Sequence, residues 1–247
     1  MKSGMEGEGC FPTGRHYPGI AHLLRVVASG LADEFDGQTE MHRLPVVSID
    51  TETTGRDHNV DRVVEVACVI YREGQVVARH DWLVNPGMPI PKEAFDVHGI
   101  SDDDVKDKPP FSAVALEILE AMRQGVPLAY NAEFDRDFLH AEFARCNLNV
   151  PNPPPAARKG VEWLDPLTWA RELQKDEKSK SLGDVCERLG IDIGRAHRAT
   201  DDAEAAAKVH GIFATDTRVP RSYAAFVLEQ KRLSRIFDDE RRMWRRA

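Results

Sequence analysis

The sequence predicts an α/β fold, a mixed β-sheet with helices on its faces. Two observations carry this. Three apolar, β-branched segments between residues 46 and 84 are joined by short turn signals and read as antiparallel strands. Beyond residue 90 the apolar residues take helical spacing, interrupted by further short apolar runs, so helices alternate with short strands.

Taken in order, residues 1–17 are Gly-rich and polar. Ile20, Leu23, Leu24, Val27, Leu31 and Phe35 then recur at helical spacing, with Pro18 near the start and Gly37 past the end. This predicts an amphipathic helix packed on the main domain. The expected division is an N-terminal extension (1–43), a main domain (44–213) and a helical, basic tail (214–247).

The main domain opens with Val46-Val47-Ser48-Ile49, a buried strand that runs into Asp50-Thr51-Glu52-Thr53-Thr54-Gly55. Gly55 permits a turn with the backbone close to a ligand. Arg62–Tyr71 and Gln75–Val84 are the next strands, with Glu73-Gly74 as their hairpin turn. Asn85-Pro86-Gly87 closes the meander, and Pro89 and Pro91 mark an extended link. Ser101 is placed to cap a short acidic turn through Val105.

A helix is expected over Phe111–Arg123, a buried strand over Val126–Tyr130, and a helix to about Cys146 with Phe138, Leu139 and Phe143 inward. After a proline loop come a short strand, a helix to Leu173 begun by Asp165-Pro166, and a helix over Ser181–Gly190 with a glycine stop. An Ala-rich helix ends near Phe213. The tail carries Tyr223, Phe226, Leu233, Phe237 and Trp244 at helical spacing and ends in Arg-Arg-Met-Trp-Arg-Arg and an alanine. Docking through those aromatics is favoured over contact with phosphate.

The chain has 247 residues, 42% of them apolar, which is enough for a sizeable core. A net charge of −8 argues against tight coating of duplex nucleic acid, but not against catalysis at a strand end. Cys10, Cys68, Cys146 and Cys186 form no Cys-x-x-Cys pair, which fits reduced thiols and gives no zinc site. No apolar leader or membrane-length run is read, so the expectation is a cytoplasmic protein without a membrane partner.

The chemistry begins at the first strand. Successive strand side chains alternate, so Asp50 and Glu52 share a face. Paired carboxylates at a strand end are costly without positive charge between them, and oxygen ligands suit Mg²⁺ or Mn²⁺. Asp135 follows a buried strand, and Asp202 opens a helix five residues after His197. On one regular helix those two would point apart, which puts His197 on the preceding loop. Each residue has an ordinary explanation alone: a solvated strand tip, a helix cap, a helix-dipole partner, a structural histidine.

Together, Asp50-Thr51-Glu52-Thr53-Thr54-Gly55, Asn131-Ala132-Glu133-Phe134-Asp135 and His197-Arg198-Ala199-Thr200-Asp201-Asp202-Ala203 resemble the three motifs of the DEDDh (DnaQ-like) exonuclease superfamily, which includes the proofreading epsilon subunit of bacterial DNA polymerase III. The resemblance spans about residues 46–210. It implies a ribonuclease-H-like fold with a five-stranded mixed sheet, and 3′→5′ exonuclease activity with two divalent metal ions. Asp50, Glu52, Asp135 and Asp202 match the metal ligands, and His197 the general base. Thr51, Thr53, His98, Asn131 and Phe134 fall at substrate-binding positions. Arg56 stands where many relatives carry an apolar residue. The implied partner is a single-stranded or frayed 3′ end, with a DNA polymerase subunit as a further candidate. The same chemistry on RNA, and a binding module with a vestigial site, are the alternatives.

Overall fold

The computed structural model describes residues 30–194 and 198–244. Four strands form one sheet: β1 (Val46–Thr53), β2 (Val63–Arg72), β3 (Gln75–Leu83) and β4 (Val126–Leu128). Their order is β3-β2-β1-β4. β1 pairs antiparallel with β2 and parallel with β4, and β2 pairs antiparallel with β3. The β2–β3 turn needs only two residues because Glu73 (φ 48°) and Gly74 (φ 81°) both take the left-handed conformation that matches strand twist.

Among the described residues the sheet has four strands rather than the expected five. The segment ending at Leu164, just before the helix Pro166–Leu173, makes only a single bridge, Leu128 with Leu164. It cannot extend, because Asp165 immediately caps a helix and Pro166 fixes its first turn. Leu164 still donates to the Pro127 carbonyl at 2.8 Å and accepts from the Ala129 N–H at 3.1 Å.

The helices are α1 (Lys92–His98), α2 (Asp102–Val105), α3 (Phe111–Ala121), α4 (Ala132–Arg145), α5 (Pro166–Leu173), α6 (Leu182–Leu189), α7 (Ala199–Phe213) and α8 (Tyr223–Trp244). The Ser101 cap is a reciprocal capping box with Asp104. Gly190 ends α6 in the left-handed conformation, as its position predicts.

The sheet buries both faces. On one, Val47, Ile49, Val66, Cys68 and Ile70 pack with Phe111, Ile118, Phe138 and Trp163 from α3, α4 and the loop before α5. On the other, Ala67 and Val69 meet Ala199 and Ala203 of α7. Burial on both sides explains why β2 reads as a nearly unbroken apolar run. Each fully buried large side chain contributes about 1.5–3 kcal/mol. The alanines of α7 let that helix lie close to the sheet. Farther along α7, a Cβ on Gly211 would sit 2.6 Å from the Tyr71 hydroxyl, so a larger residue there would push the Tyr71 ring aside.

The expected helix over residues 18–35 lies largely outside the described residues. Its described end is a series of turns, not helix, and Ala32 N–H donates to the Tyr223 hydroxyl at 2.9 Å. Leu31 and Phe35 pack against the core from that irregular segment. Tyr223, Phe226, Val227 and Leu233 bury one side of α8 against the same core. Gln230, also buried, donates to the Trp163 carbonyl at 2.8 Å and accepts from the Asp165 N–H at 2.9 Å. Arginines 245 and 246 lie outside the described residues. Among the described residues no helix is long and apolar enough to cross a membrane.

Phe226 stacks on Trp169 with ring centroids 4.6 Å apart and holds α8 to α5. Phe226→Ala is expected to cost about 3–5 kcal/mol in urea denaturation, the range for emptying a buried aromatic site.

Candidate active site

The functional side chains gather where β1 ends. Asp50 and Glu52 project from the α7 side of the sheet. Across from them in register on β2 stand Ala67 and Glu65. Ala67 is small and Ala199 and Ala203 pack beside it, so α7 approaches closely enough to deliver Asp202. One carboxylate oxygen from each of Asp50, Glu52 and Asp202 lies within 4.8 Å of the others.

Asp135 reaches the site from the opposite face of the sheet, in the first turn of α4. It is buried, and its Oδ1 accepts two hydrogen bonds from Thr51, from N–H at 2.9 Å and Oγ1 at 2.8 Å. It is not one of the three that approach within 4.8 Å, but its charge is the strongest acidic influence on Asp50.

Burial and mutual repulsion dominate the electrostatics. Burial pushes Asp50 well above the usual carboxylate range, and Asp135, Glu52, Asp202 and Glu65 push it further. Burial and then Glu65 raise Glu52 to about 8. Burial raises Asp135 to about 7, against the lowering effect of the Thr51 hydrogen bonds. Oxygen-only, anionic and mutually repelling donors are a ligand set for a hard divalent cation, which removes the repulsion that otherwise calls for protons.

Glu65 is a site residue that motif matching does not reveal. It is buried, accepts from Arg198 Nη2 at 2.9 Å and caps α7 by accepting from the Ala199 N–H at 3.2 Å. The signal for it is a lone charge inside the apolar run Val-Val-Glu-Val-Ala-Cys-Val-Ile. His197, the expected general base, lies outside the described residues. Arg198 beside it is anchored by Glu65.

The remaining expected residues divide. Thr51 turns its hydroxyl to Asp135 and is buried. Thr53 Oγ1 donates to the Gly55 carbonyl at 2.6 Å. His98 is buried, and its Nδ1 accepts from the Ile100 N–H at 3.0 Å, so the neutral ring carries its proton on Nε2. Burial lowers its pKa, while the Thr53 backbone and Glu65 oppose that shift. Asn131 sits in the left-handed conformation (φ 70°), with its N–H on Asp165 Oδ1 at 3.0 Å.

Asn131 and Phe134 share a cavity of ≈ 240 Å³ with exposed Arg56 and half-buried His58. Gly55 is required by a neighbour within its own loop. A Cβ there would stand 2.3 Å from the Asp61 carboxylate, which accepts from the Asp57 N–H at 2.8 Å. The far end of this loop is pinned by Arg62, which grips buried Glu142 with two hydrogen bonds of 2.7 and 3.0 Å.

The RNase_T exonuclease family model matches residues 47–210, and the chain belongs to this family. Its motifs are those of a DEDDh-type exonuclease domain. DNA polymerase III PolC-type of Streptococcus suis (strain 98HAH33) is 30% identical over 214 residues, covering 83% of this chain and 14% of that protein. Its counterpart in Bacillus cereus (strain ATCC 14579) is 32% identical over 170 residues, covering 67% of this chain and 11% of that protein. The chain therefore spans a small fraction of the length of these relatives.

Among solved structures, E. coli Exonuclease I in complex with a dT13 oligonucleotide aligns with TM-score 0.60 and 20% identity over 70% of this chain and 41% of that one. Exonuclease X in complex with 5′ overhanging duplex DNA aligns with TM-score 0.57 and 24% identity over 74% and 99%. A 3′-exonuclease bound to a histone mRNA stem-loop aligns with TM-score 0.59 and 18% identity over 82% and 71%. These likenesses establish the fold.

The carboxyls raised in the folded state stabilise it fully below pH 4 and lose that contribution as pH rises through their folded values of about 7 to 8. The melting temperature of the chelator-treated protein is expected to fall between pH 5 and pH 9. Mn²⁺ is expected to raise it at pH 8 and to do little at pH 5, where protons compete. Differential scanning calorimetry checks both. A flat profile unaffected by Mn²⁺ would contradict this reading of the acids.

Proposed function

We propose that the chain removes nucleotides singly from the 3′ end of single-stranded or frayed DNA, releasing nucleoside 5′-monophosphates, in the service of polymerase proofreading. The carrying observation is the meeting of Asp50, Glu52 and Asp202 oxygens within 4.8 Å, beside buried Asp135. Asp50, Glu52, Asp135 and Asp202 are the residues that would hold the cations. A pair of Mg²⁺ or Mn²⁺ ions, once bound, supplies activation of a water and stabilisation of the leaving 3′ oxygen.

The chain's own residues do the rest. His197 takes the proton of the attacking water, for which an ordinary pKa of about 6.5 is suited. Glu65 and Arg198 fix the backbone next to His197. Thr51 orients Asp135 through its two hydrogen bonds. Thr53, His98, Asn131 and Phe134 meet the terminal nucleotide, with Phe134 offering a ring face to a base. The PolC-type identity of the relatives supports a polymerase connection.

RNA is the second reading, supported by the shared fold with an exonuclease that recognises an mRNA stem-loop. Pocket contacts around the 2′-hydroxyl decide between the two sugars.

Wild-type protein is expected to ladder a 5′-labelled DNA oligonucleotide from its 3′ end in Mg²⁺ or Mn²⁺, more slowly degrade the matched RNA, and cut neither in EDTA. Asp50→Ala is expected to lower the rate by about three orders of magnitude, as when one member of a cooperating set is removed. Intact DNA with both cations would contradict the proposal. Glu65→Gln is expected to lower kcat about 10–100-fold and to move the acidic limb of the pH–rate profile to lower pH, since Glu65 is the strongest charge raising Glu52.

A further inference from the structure

Three concavities connect in series away from the candidate active site. The first is the cavity lined by Arg56 and Phe134. It shares Asn131 and Glu133 with a polar cleft of ≈ 170 Å³ at the start of α4 and α5. That cleft shares Arg171 and Arg241 with an open groove of ≈ 610 Å³ between α5 and α8. The groove brings together Arg171, Lys175, Lys180, Arg232 and Arg241, with Phe237 among them. Glu172 and Glu240 are its acids. Five cations against two anions give a local charge of +3 in a chain whose net charge is −8.

These cations are only partly engaged. Among the described residues the side chains of Arg171 and Lys175 make no hydrogen bond or close ion pair, although Arg171 feels the attraction of Asp165 and Asp238. Arg171 is half-buried, and burial and nearby Arg241 both hold its pKa below the ordinary arginine value. Arg232 and Arg241 pair with Glu229 and Asp238 on their own helix. Such exposed pairs are worth little and yield readily to phosphate. The cleft between is of mixed charge, with Glu133, Glu162, Asp165 and Asp238 beside Arg136, Arg171 and Arg241. A positive, open groove with an aromatic side chain, sharing lining residues through that cleft with the cavity at Asn131 and Phe134, has the attributes of a single-strand track.

We infer that the α5–α8 groove holds the phosphate backbone of the nucleic-acid strand upstream of its 3′ terminus, with Arg171, Lys175 and Arg241 as the principal contacts. The C-terminal helix is then a substrate-binding element. This rests on the 3′-exonuclease reading for its direction, but the groove's chemistry is independent of the acids. A nucleic-acid strand is favoured over a protein partner because the groove's own excess charge is positive and its lining residues adjoin, through the mixed-charge cleft, the cavity at Asn131 and Phe134.

The test is fluorescence anisotropy of the full chain with 5′-labelled dT12, dT3 and U12 in EDTA, with parallel cleavage of dT12 in Mg²⁺. Wild type is expected to bind dT12 at least tenfold more tightly than dT3. The Lys175→Glu/Arg241→Glu double variant is expected to lose at least tenfold on dT12 and nothing on dT3. The slope of log K against log salt is expected to shrink by about 1.4, two single-strand phosphate contacts at about 0.7 each. KM for dT12 rises and kcat stays. The charge-preserving Lys175→Arg/Arg241→Lys variant keeps tight binding, and an unchanged melting temperature shows both variants folded.

Wild-type affinity of the double variant for dT12 would overturn the inference and leave this face to a protein partner. A loss on dT12 without one on U12 would overturn the assignment to backbone phosphate. If dT12 is cut yet the double variant binds it normally, the groove fails and the exonuclease reading stands. If dT12 is never cut yet the double variant loses binding, the groove stands and the exonuclease reading fails.

Discussion

Acidic groups crowded at one strand end repel one another, and the rest of the molecule is arranged to keep them there. At effective dielectric values near 20, two like charges about 4 Å apart oppose each other by roughly 4 kcal/mol. A pliable scaffold would relieve that by moving apart. Here Asp50 and Glu52 are fixed by the central β1, Asp135 by two bonds from Thr51, and α7 by close alanine packing on β2. Glu65, itself an added negative charge, is balanced by Arg198 and by the buried N–H of Ala199 at the positive end of α7.

This rigidity has an electrostatic counterpart at larger scale. The interior near the acids is poised to exchange protons for cations, while the positive surface lies farther off along α5 and α8. A net-negative chain can thus handle a polyanion, provided the attraction is placed along the strand's path and the repulsion is relieved where the bond is cut. Arg62 and Arg145 on buried Glu142 belong to the same logic, tying the β1–β2 loop to α4 where Arg56 and Phe134 face one cavity.

The sheet and most helices were legible in the sequence because they follow local rules. The alternation of β1, the Glu73-Gly74 turn, the Ser101 capping box and the Gly190 stop each need only neighbouring residues. The acidic cluster was legible through motif order. What escaped depends on tertiary context. The segment ending in Leu164 reads as a strand, but helix initiation at Asp165-Pro166 cuts its pairing to one bridge. The apolar spacing through Leu31 and Phe35 suits a helix, but the chain there turns to meet Tyr223 and α8. Gly55 makes room for Asp61, a neighbour six residues away that spacing alone does not place. Glu65 joins the site only because β2 registers it opposite Glu52.

The most direct test of the central claim is a crystal structure with Mn²⁺ and a nucleoside 5′-monophosphate, read through the anomalous signal of manganese. The account predicts anomalous peaks bonded to oxygens of Asp50, Glu52 and Asp202, with Asp135 completing the ligand set and the 5′-phosphate adjoining the metal. Absence of manganese from that pocket at saturating concentration, or its binding at another place on the molecule, would contradict it.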